Sequence, residues 1–326
     1  MPTVDMHVHI GGCQIKKTGC FMSGPQKEKL HHELPPSLSL KLRLADWLGI
    51  VDAQIKKRLL RFIDETKEVD YAVILPMDGV YDGEGNLDKK RTSFYVPNDY
   101  VLALAGESSK LIPAASVNPF RRDAIEELER VAGAGARLIK WLPSSQNFDP
   151  ADPKILPFYK KLAGLKIPLL SHTGYEHTVL SVYSSGNQAY GEPRRLKNAL
   201  EAGVTVIMAH SGTSGGPQEP DYWEDFLEMA RVWPNLYGDT AAFTHWTRVR
   251  ILPKIIHHDW AFERLLHGSD ATLQPSLDKL GALVSRDLIE SLRQNPNAVE
   301  KDFKLKKALG FPEEVFTRAA RLLRIN

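Results

Sequence analysis

Cysteine is nearly absent. Two in 326 residues cannot form a disulfide framework, and a chain this long buries enough core to fold without one. No apolar run approaches the roughly 18 residues of a membrane span, so no membrane partner is expected. An excess of one charge is also missing. Lys+Arg total 42 against 40 Asp+Glu, a formal net charge of +2, which argues against nucleic acid as the main partner. The opening MPTVDMHVHIGG has no basic segment followed by an apolar one, so no secretory leader is read and a cytoplasmic location is expected. No GxGxxG follows the first apolar run, and the signature of an open dinucleotide-binding sheet is therefore lacking.

What is present is alternation. Eight short apolar runs, each bounded by polar, Gly or Pro residues, fall at 4–10, 71–77, 111–117, 136–142, 167–172, 204–210, 235–239 and 264–269. They are too short for helices and read as buried strands. Helical patterns at 52–69, 121–132, 152–165, 193–202, 221–232 and 246–257 fill most of the gaps. Strand alternating with helix implies parallel strands joined by right-handed crossovers, and eight units predict an α/β fold, a (β/α)8 TIM barrel. A single domain over 1–326 is expected. The tail 285–326 reads as extra closing helices, with Leu305, Leu309, Val315, Phe316, Ala319 and Leu323 on the apolar face. Two long loops belong to the C-terminal side of the barrel. The first, 11–45, contains Pro35-Pro36 and is expected to be a lid; the second, 78–99, reads as a solvated excursion. Its DGEGNLD run lacks the ligand spacing of a calcium loop.

Histidines gather at strand ends. His7 and His9 lie on the first strand, His172 on the fifth and His210 on the sixth, and Asp270 follows the eighth. In a parallel barrel these ends converge on one mouth. Side chains at i and i+2 of a strand share a face, so His7 and His9 enter together. With His172 and the Asp270 carboxylate they make a nitrogen and oxygen set suited to Zn2+, with Mn2+ or Fe2+ as alternatives.

Asp5-Met6-His7-Val8-His9, Ser171-His172, Met208-Ala209-His210-Ser211-Gly212 and His267-Gly268-Ser269-Asp270 resemble the amidohydrolase superfamily. More narrowly they are similar to its amidohydrolase 2 branch, which includes aminocarboxymuconate-semialdehyde decarboxylase and related metal-dependent hydrolases. The ending FTRAARLL resembles that of the family, with Arg318 where an Asn is common. The resemblance implies that His7, His9, His172 and Asp270 ligate a divalent metal and that Asp270 also accepts a proton from water. His210 would contact the attacking water and substrate, or ligate a second metal. Lys140, near the end of the fourth strand, would be a carboxylated bridge between two metals in some relatives; otherwise it reaches the mouth or binds a substrate carboxylate.

Other residues near the mouth carry narrower expectations. Arg248 could hold a substrate carboxylate in a two-pronged grip, with Trp246 and His177 also expected to bind substrate and Tyr175 beside them. Trp141 alternates with Lys140 and is expected to pack outward, and Asp239 could support a ligand histidine. Cys13 reads as a free thiol. The function expected is a metal-dependent hydrolase that attacks a carbonyl or lactone of a small molecule. The alternative is a metal-dependent decarboxylase of an aromatic or enol-like carboxylate. A homo-oligomer is compatible with the sequence, which identifies no interface.

Overall fold

The computed structural model describes residues 1–33, 36–180, 188–271 and 273–325. Pro35 and Asn326, which belong to two of the segments discussed above, lie outside them. The eight expected strands are all present. They are β1 (Val4–His9), β2 (Tyr71–Leu75), β3 (Leu111–Pro113), β4 (Ile139–Trp141), β5 (Leu169–His172), β6 (Val206–Ala209), β7 (Leu236–Asp239) and β8 (Leu265–Leu266). Strands β1 to β3 pair in parallel, as do β4 to β8. Two seams close the ring. A parallel bridge joins Ala115 to Ile139 between β3 and β4, and the Met6 amide donates to the His267 carbonyl (3.0 Å) between β1 and β8. The result is a TIM barrel.

Strand alternation sorts the side chains into two layers. Leu138, Leu170, Ile207 and Leu266 point into the barrel, whereas Trp141, Leu169, Val206 and Leu265 join the outer layer against the helices. Trp141 is fully buried there against Phe148, Phe158 and Tyr159, and its indole donates to the Val117 carbonyl (2.7 Å). The closing helices are Arg286–Arg293, Ala298–Ala308 and Glu313–Leu323. Ala319, Ala320 and Leu323 of the last one seal the bottom of the barrel beneath Val4 and Met6. No described helix is long and apolar enough to cross a membrane.

Several segments differ from the sequence expectation. The stretch 11–45 is mostly helical, with Gly24–Glu33 followed by Pro36–Trp47. The run PSLSLKLRLADW alternates leucine with polar residues, which hides the helix, yet its Leu, Lys, Arg and Ala content favours one. The cost is exposure: Leu38 and Leu40 are 48% and 69% exposed. Segment 78–99 is a packed element, with Asp78, Val80, Thr92 and Val96 buried. Asp78 accepts from the Gly79 and Asn118 amides (both 2.8 Å), and Asp82 closes the DGEGN turn by accepting from Glu84 and Asn86 (both 2.9 Å). Phe94–Tyr95 also pairs antiparallel with Phe21–Met22, tying the two long segments together. A helix at Asn98–Ala105 occupies the gap before β3, where no helical pattern was read. The one expected at 246–257 shrinks to two short turns around Pro253, which has no N–H for a helix interior.

Candidate metal centre

A bulge sets the first two histidines. Between Asp5 and Val8 the register of β1 slips by one residue against β2. Val4 and Met6 face the interior before the slip, and Val8 and Ile10 join the outer layer after it. The reversal turns both His7 and His9 to the mouth, where their Nε2 atoms lie 3.1 Å apart. His7 Nδ1 donates to Asp239 Oδ2 (2.6 Å), so the His7 lone pair is on Nε2. This is the supporting role expected of Asp239.

The ends of β6 and β8 break out of strand geometry. His210 and Ser211 have left-handed φ values of 58° and 50°, and Asp270 has φ 56°. Such angles are costly for residues with a side chain and collect where a site demands them. Here local bonds hold them. The His210 amide donates to Asp239 Oδ1 (2.7 Å), Ser211 Oγ to the Asp239 carbonyl (2.7 Å) and the Asp270 amide to the His7 carbonyl (2.9 Å). His210 Nδ1 donates to the Ala241 carbonyl (3.0 Å), which again leaves Nε2 as the acceptor. His7, His210 and Asp270 each offer a ligand atom within 4.8 Å of the others. His9 Nε2 stands 4.0 Å from Asp270 Oδ1.

His172 sits at the edge of this group, with its ring centre 5.2 Å from that of His210. Its Nδ1 faces Glu176 Oε2 at 3.4 Å and its Nε2 faces the Tyr175 carbonyl at 3.2 Å. Glu176 is buried and was not singled out in the sequence. The signal was a carboxylate four residues after a strand-end histidine, in HTGYE.

Electrostatics favour a site that takes a cation. Burial pushes His9 and His210 well below the usual imidazole range and His172 down to about 4, so all three rings are neutral and free to donate a lone pair. Burial works against the Asp239 carboxylate, but the His7 ring and the bonds from His7 and His210 hold it below its ordinary range. Asp270 goes the other way: burial raises it despite the opposing pull of His7, Lys140 and Arg248. Burial also brings Lys140 down to about 8, against the pull of Asp239, Asp270 and Glu176.

The donors fit a divalent metal. Two nitrogens bound at about 2.1 Å to one tetrahedral ion sit roughly 3.4 Å apart, a few tenths of an ångström more than the separation of the His7 and His9 Nε2 atoms. A cavity of about 270 Å³ opens above them. Leu75, Met77, Phe94 and Leu142 give it an apolar wall, and Lys140, Arg248, Glu176 and His177 a polar one. Among the described residues neither Lys140 nor Arg248 is ion-paired with a carboxylate, although both are buried. The Arg248 Nε–H reaches only the Thr213 carbonyl (3.3 Å). His177 lines the cavity but is 60% exposed at its side chain and pairs with Glu219 (2.7 Å). Tyr175 is on the same wall. Trp246 is not brought to the cavity. His245, Thr247 and Arg248 face inward, which turns the intervening indole out to 60% exposure beside Lys279. Cys13 is a free thiol bonded to Asp46 (3.2 Å) and lies outside the cavity walls.

A parallel barrel with a constellation of this kind at the C-terminal mouth defines a TIM-barrel enzyme. The family model described as Amidohydrolase matches residues 4–310, and the chain belongs to this metal-dependent family, in its amidohydrolase 2 branch. No curated protein is similar enough in sequence to count as a match. Among solved structures, the chain is similar to an uncharacterized TIM-barrel protein from Bordetella bronchiseptica (13% identity, TM-score 0.60, 99% of this chain and 100% of that one). It is also similar to a probable 2-pyrone-4,6-dicarboxylic acid hydrolase from Acinetobacter baumannii with citric acid bound (14%, TM-score 0.58, 100% of both chains). A third is a dihydroxybenzoic acid decarboxylase from Polaromonas sp. JS666 with bound manganese and 2-nitroresorcinol (14%, TM-score 0.55, 100% of this chain and 97% of that one). At these identities the likeness is one of fold.

Proposed function

We propose that the protein is a metal-dependent hydrolase of a small carboxylated molecule, with His7, His9, His172 and Asp270 holding the ion. Zinc is the ion this three-nitrogen, one-carboxylate set suits best, with Mn2+ or Fe2+ as alternatives. The observation that carries the substrate class is the pair of buried cations, Lys140 and Arg248, facing one cavity without a carboxylate partner among the described residues. A buried charge left unpaired is costly, and a substrate carboxylate answers both. An ester or lactone bearing that group would lie against the apolar wall.

A divalent ion in the donor set supplies Lewis acidity and makes water more acidic. His210 keeps an acceptor Nε2 turned inward and so accepts a hydrogen bond from the attacking water. Asp270, raised by its burial, takes the proton and returns it to the leaving oxygen. Lys140 and Arg248 hold the carboxylate and fix which carbonyl meets the water. The helices of segment 11–45 act as the lid: Gln26 accepts from the Leu180 amide and donates to the Thr178 carbonyl (both 2.8 Å), on the loop that walls the cavity.

The test begins with elemental analysis of protein purified without chelators or a metal-binding tag. About one zinc per chain, lost in His172→Ala, supports the ligand set; two metals would make Lys140 a carboxylated bridge. A panel of esters and lactones, each with and without a carboxylate, then reads the reaction. Stoichiometric release of carbon dioxide from a carboxylated substrate would overturn hydrolysis and install the decarboxylase reading.

A further inference from the structure

We propose that Glu176 is a positioning residue that fixes the orientation and tautomer of His172, an inference that rests on His172 being a metal ligand. Two other histidines of the site each give away one ring N–H to a fixed acceptor. His7 gives its Nδ1 to a carboxylate and His210 gives its Nδ1 to a carbonyl, so each has its lone pair on Nε2. His172 has a carboxylate on the same side of its ring, Glu176 Oε2 at 3.4 Å from Nδ1, a charge contact rather than a closed hydrogen bond. Its Nε2 meanwhile faces a second acceptor, the Tyr175 carbonyl. A neutral imidazole has one N–H and cannot serve both. Without an ion the N–H is on Nε2, donating to the Tyr175 carbonyl; an ion taken by Nε2 moves the proton to Nδ1, where the Glu176 carboxylate, the stronger acceptor, receives it. Nε2 is then left with its lone pair, the state a metal ligand needs.

The other oxygen of Glu176 explains why the carboxylate is so well placed. Oε1 accepts from the amides of Thr178 (2.6 Å) and Val179 (2.9 Å), which locks the side chain in one rotation. The backbone of Glu176 is held as well. Gln188 Oε1 accepts from its amide and Gln188 Nε2 donates to its carbonyl (both 2.8 Å). Oε2 is therefore presented to His172 by four bonds that involve no other site histidine.

This arrangement makes Glu176→Gln a sharp probe. The Thr178 and Val179 amides demand an oxygen at the Oε1 position, so the new NH2 must occupy the Oε2 position. It would offer a donor to Nδ1 and force the proton onto Nε2. The experiment is 15N NMR of zinc-loaded protein with labelled histidine, His172 being assigned by its loss in His172→Ala, together with a zinc titration against a competing chelator. In the parent protein His172 is expected to show a zinc-bound Nε2 and a protonated Nδ1. In Glu176→Gln it is expected to show an unbound ring protonated at Nε2, with zinc affinity about 10- to 100-fold weaker and an unchanged unfolding temperature without added zinc. A variant that keeps the zinc-bound Nε2 and binds zinc within about twofold of the parent overturns the proposal. If His172→Ala retains full zinc affinity, the ligand assignment itself fails. A tautomer switch in the glutamine variant would then still support control by Glu176.

Discussion

On the β1, β6 and β8 side of the cavity, His7, His210 and Asp270 are gripped by groups that belong to the barrel strands and their first turns. On the β5 side, His172 depends on Glu176, which depends in turn on Gln188 and on a loop met by Gln26 from the helical excursion. The first half is held by one buried carboxylate, Asp239, which serves both a ring and a backbone amide. The second is assembled from the stretch that follows β5, which carries both Glu176 and Gln188, and from Gln26 of the N-terminal helical segment. The donors at the ends of β1, β6 and β8 are thus held by the barrel framework itself, whereas His172, although it ends a barrel strand, has its neighbouring carboxylate placed by the loop that follows.

The largest effect should come from the rigid half. Asp270→Asn removes the group that accepts the proton, and kcat is expected to fall by about 10²- to 10⁴-fold, read by steady-state kinetics on the first substrate found. Asp239→Asn comes next. It weakens the hold on His7 and His210 together, and ion affinity should drop about 10- to 100-fold in a chelator competition; an unchanged affinity would erase the distinction between the halves.

The cations of the cavity give a smaller, pH-dependent effect. Lys140 is protonated below about 8 and loses its charge above it, so KM for a carboxylated substrate should rise as pH passes about 8, while Lys140→Arg should hold KM flat over that range. A parallel rise in the arginine variant would assign the effect elsewhere. The mildest change is Gln26→Ala. Two hydrogen bonds are lost, about 1–2 kcal/mol in urea unfolding, with KM expected to move and ion affinity to stay put. A fall in ion affinity there would show that the lid reaches the metal ligands.

Much of the rigid half was legible in the sequence. His7, His9, His210 and Asp270 sit where apolar runs end, and a period-two pattern with converging strand ends needs no tertiary knowledge. The bulge was not visible: the sharing of one face by His7 and His9 holds, but Met6 faces inward with them because the register slips. Strand ends were overrun at 204–210 and 264–269, since the left-handed turns at His210 and Asp270 are imposed by Asp239 and by the closing seam, not by local propensity. Glu176 was passed over because its role comes from amides that only the folded loop presents. The helix Pro36–Trp47 was hidden by its alternating leucines, and the indole of Trp246 points away from the cavity because the helix expected from 246 starts only at Val249 and the neighbours His245, Thr247 and Arg248 take the inward positions.

The closing seam has a consequence for how the protein comes into being. His7 and Asp270 touch across it, yet one belongs to the first strand of the barrel and the other follows its eighth. A nascent chain therefore carries His7 and His9 with no carboxylate at Asp270 to complete them until the eighth strand has been made. Long-range pairing of this sort is slow. A metal ion that favours the closed ring would act as its clasp, so supply of that ion during synthesis should govern yield as well as activity.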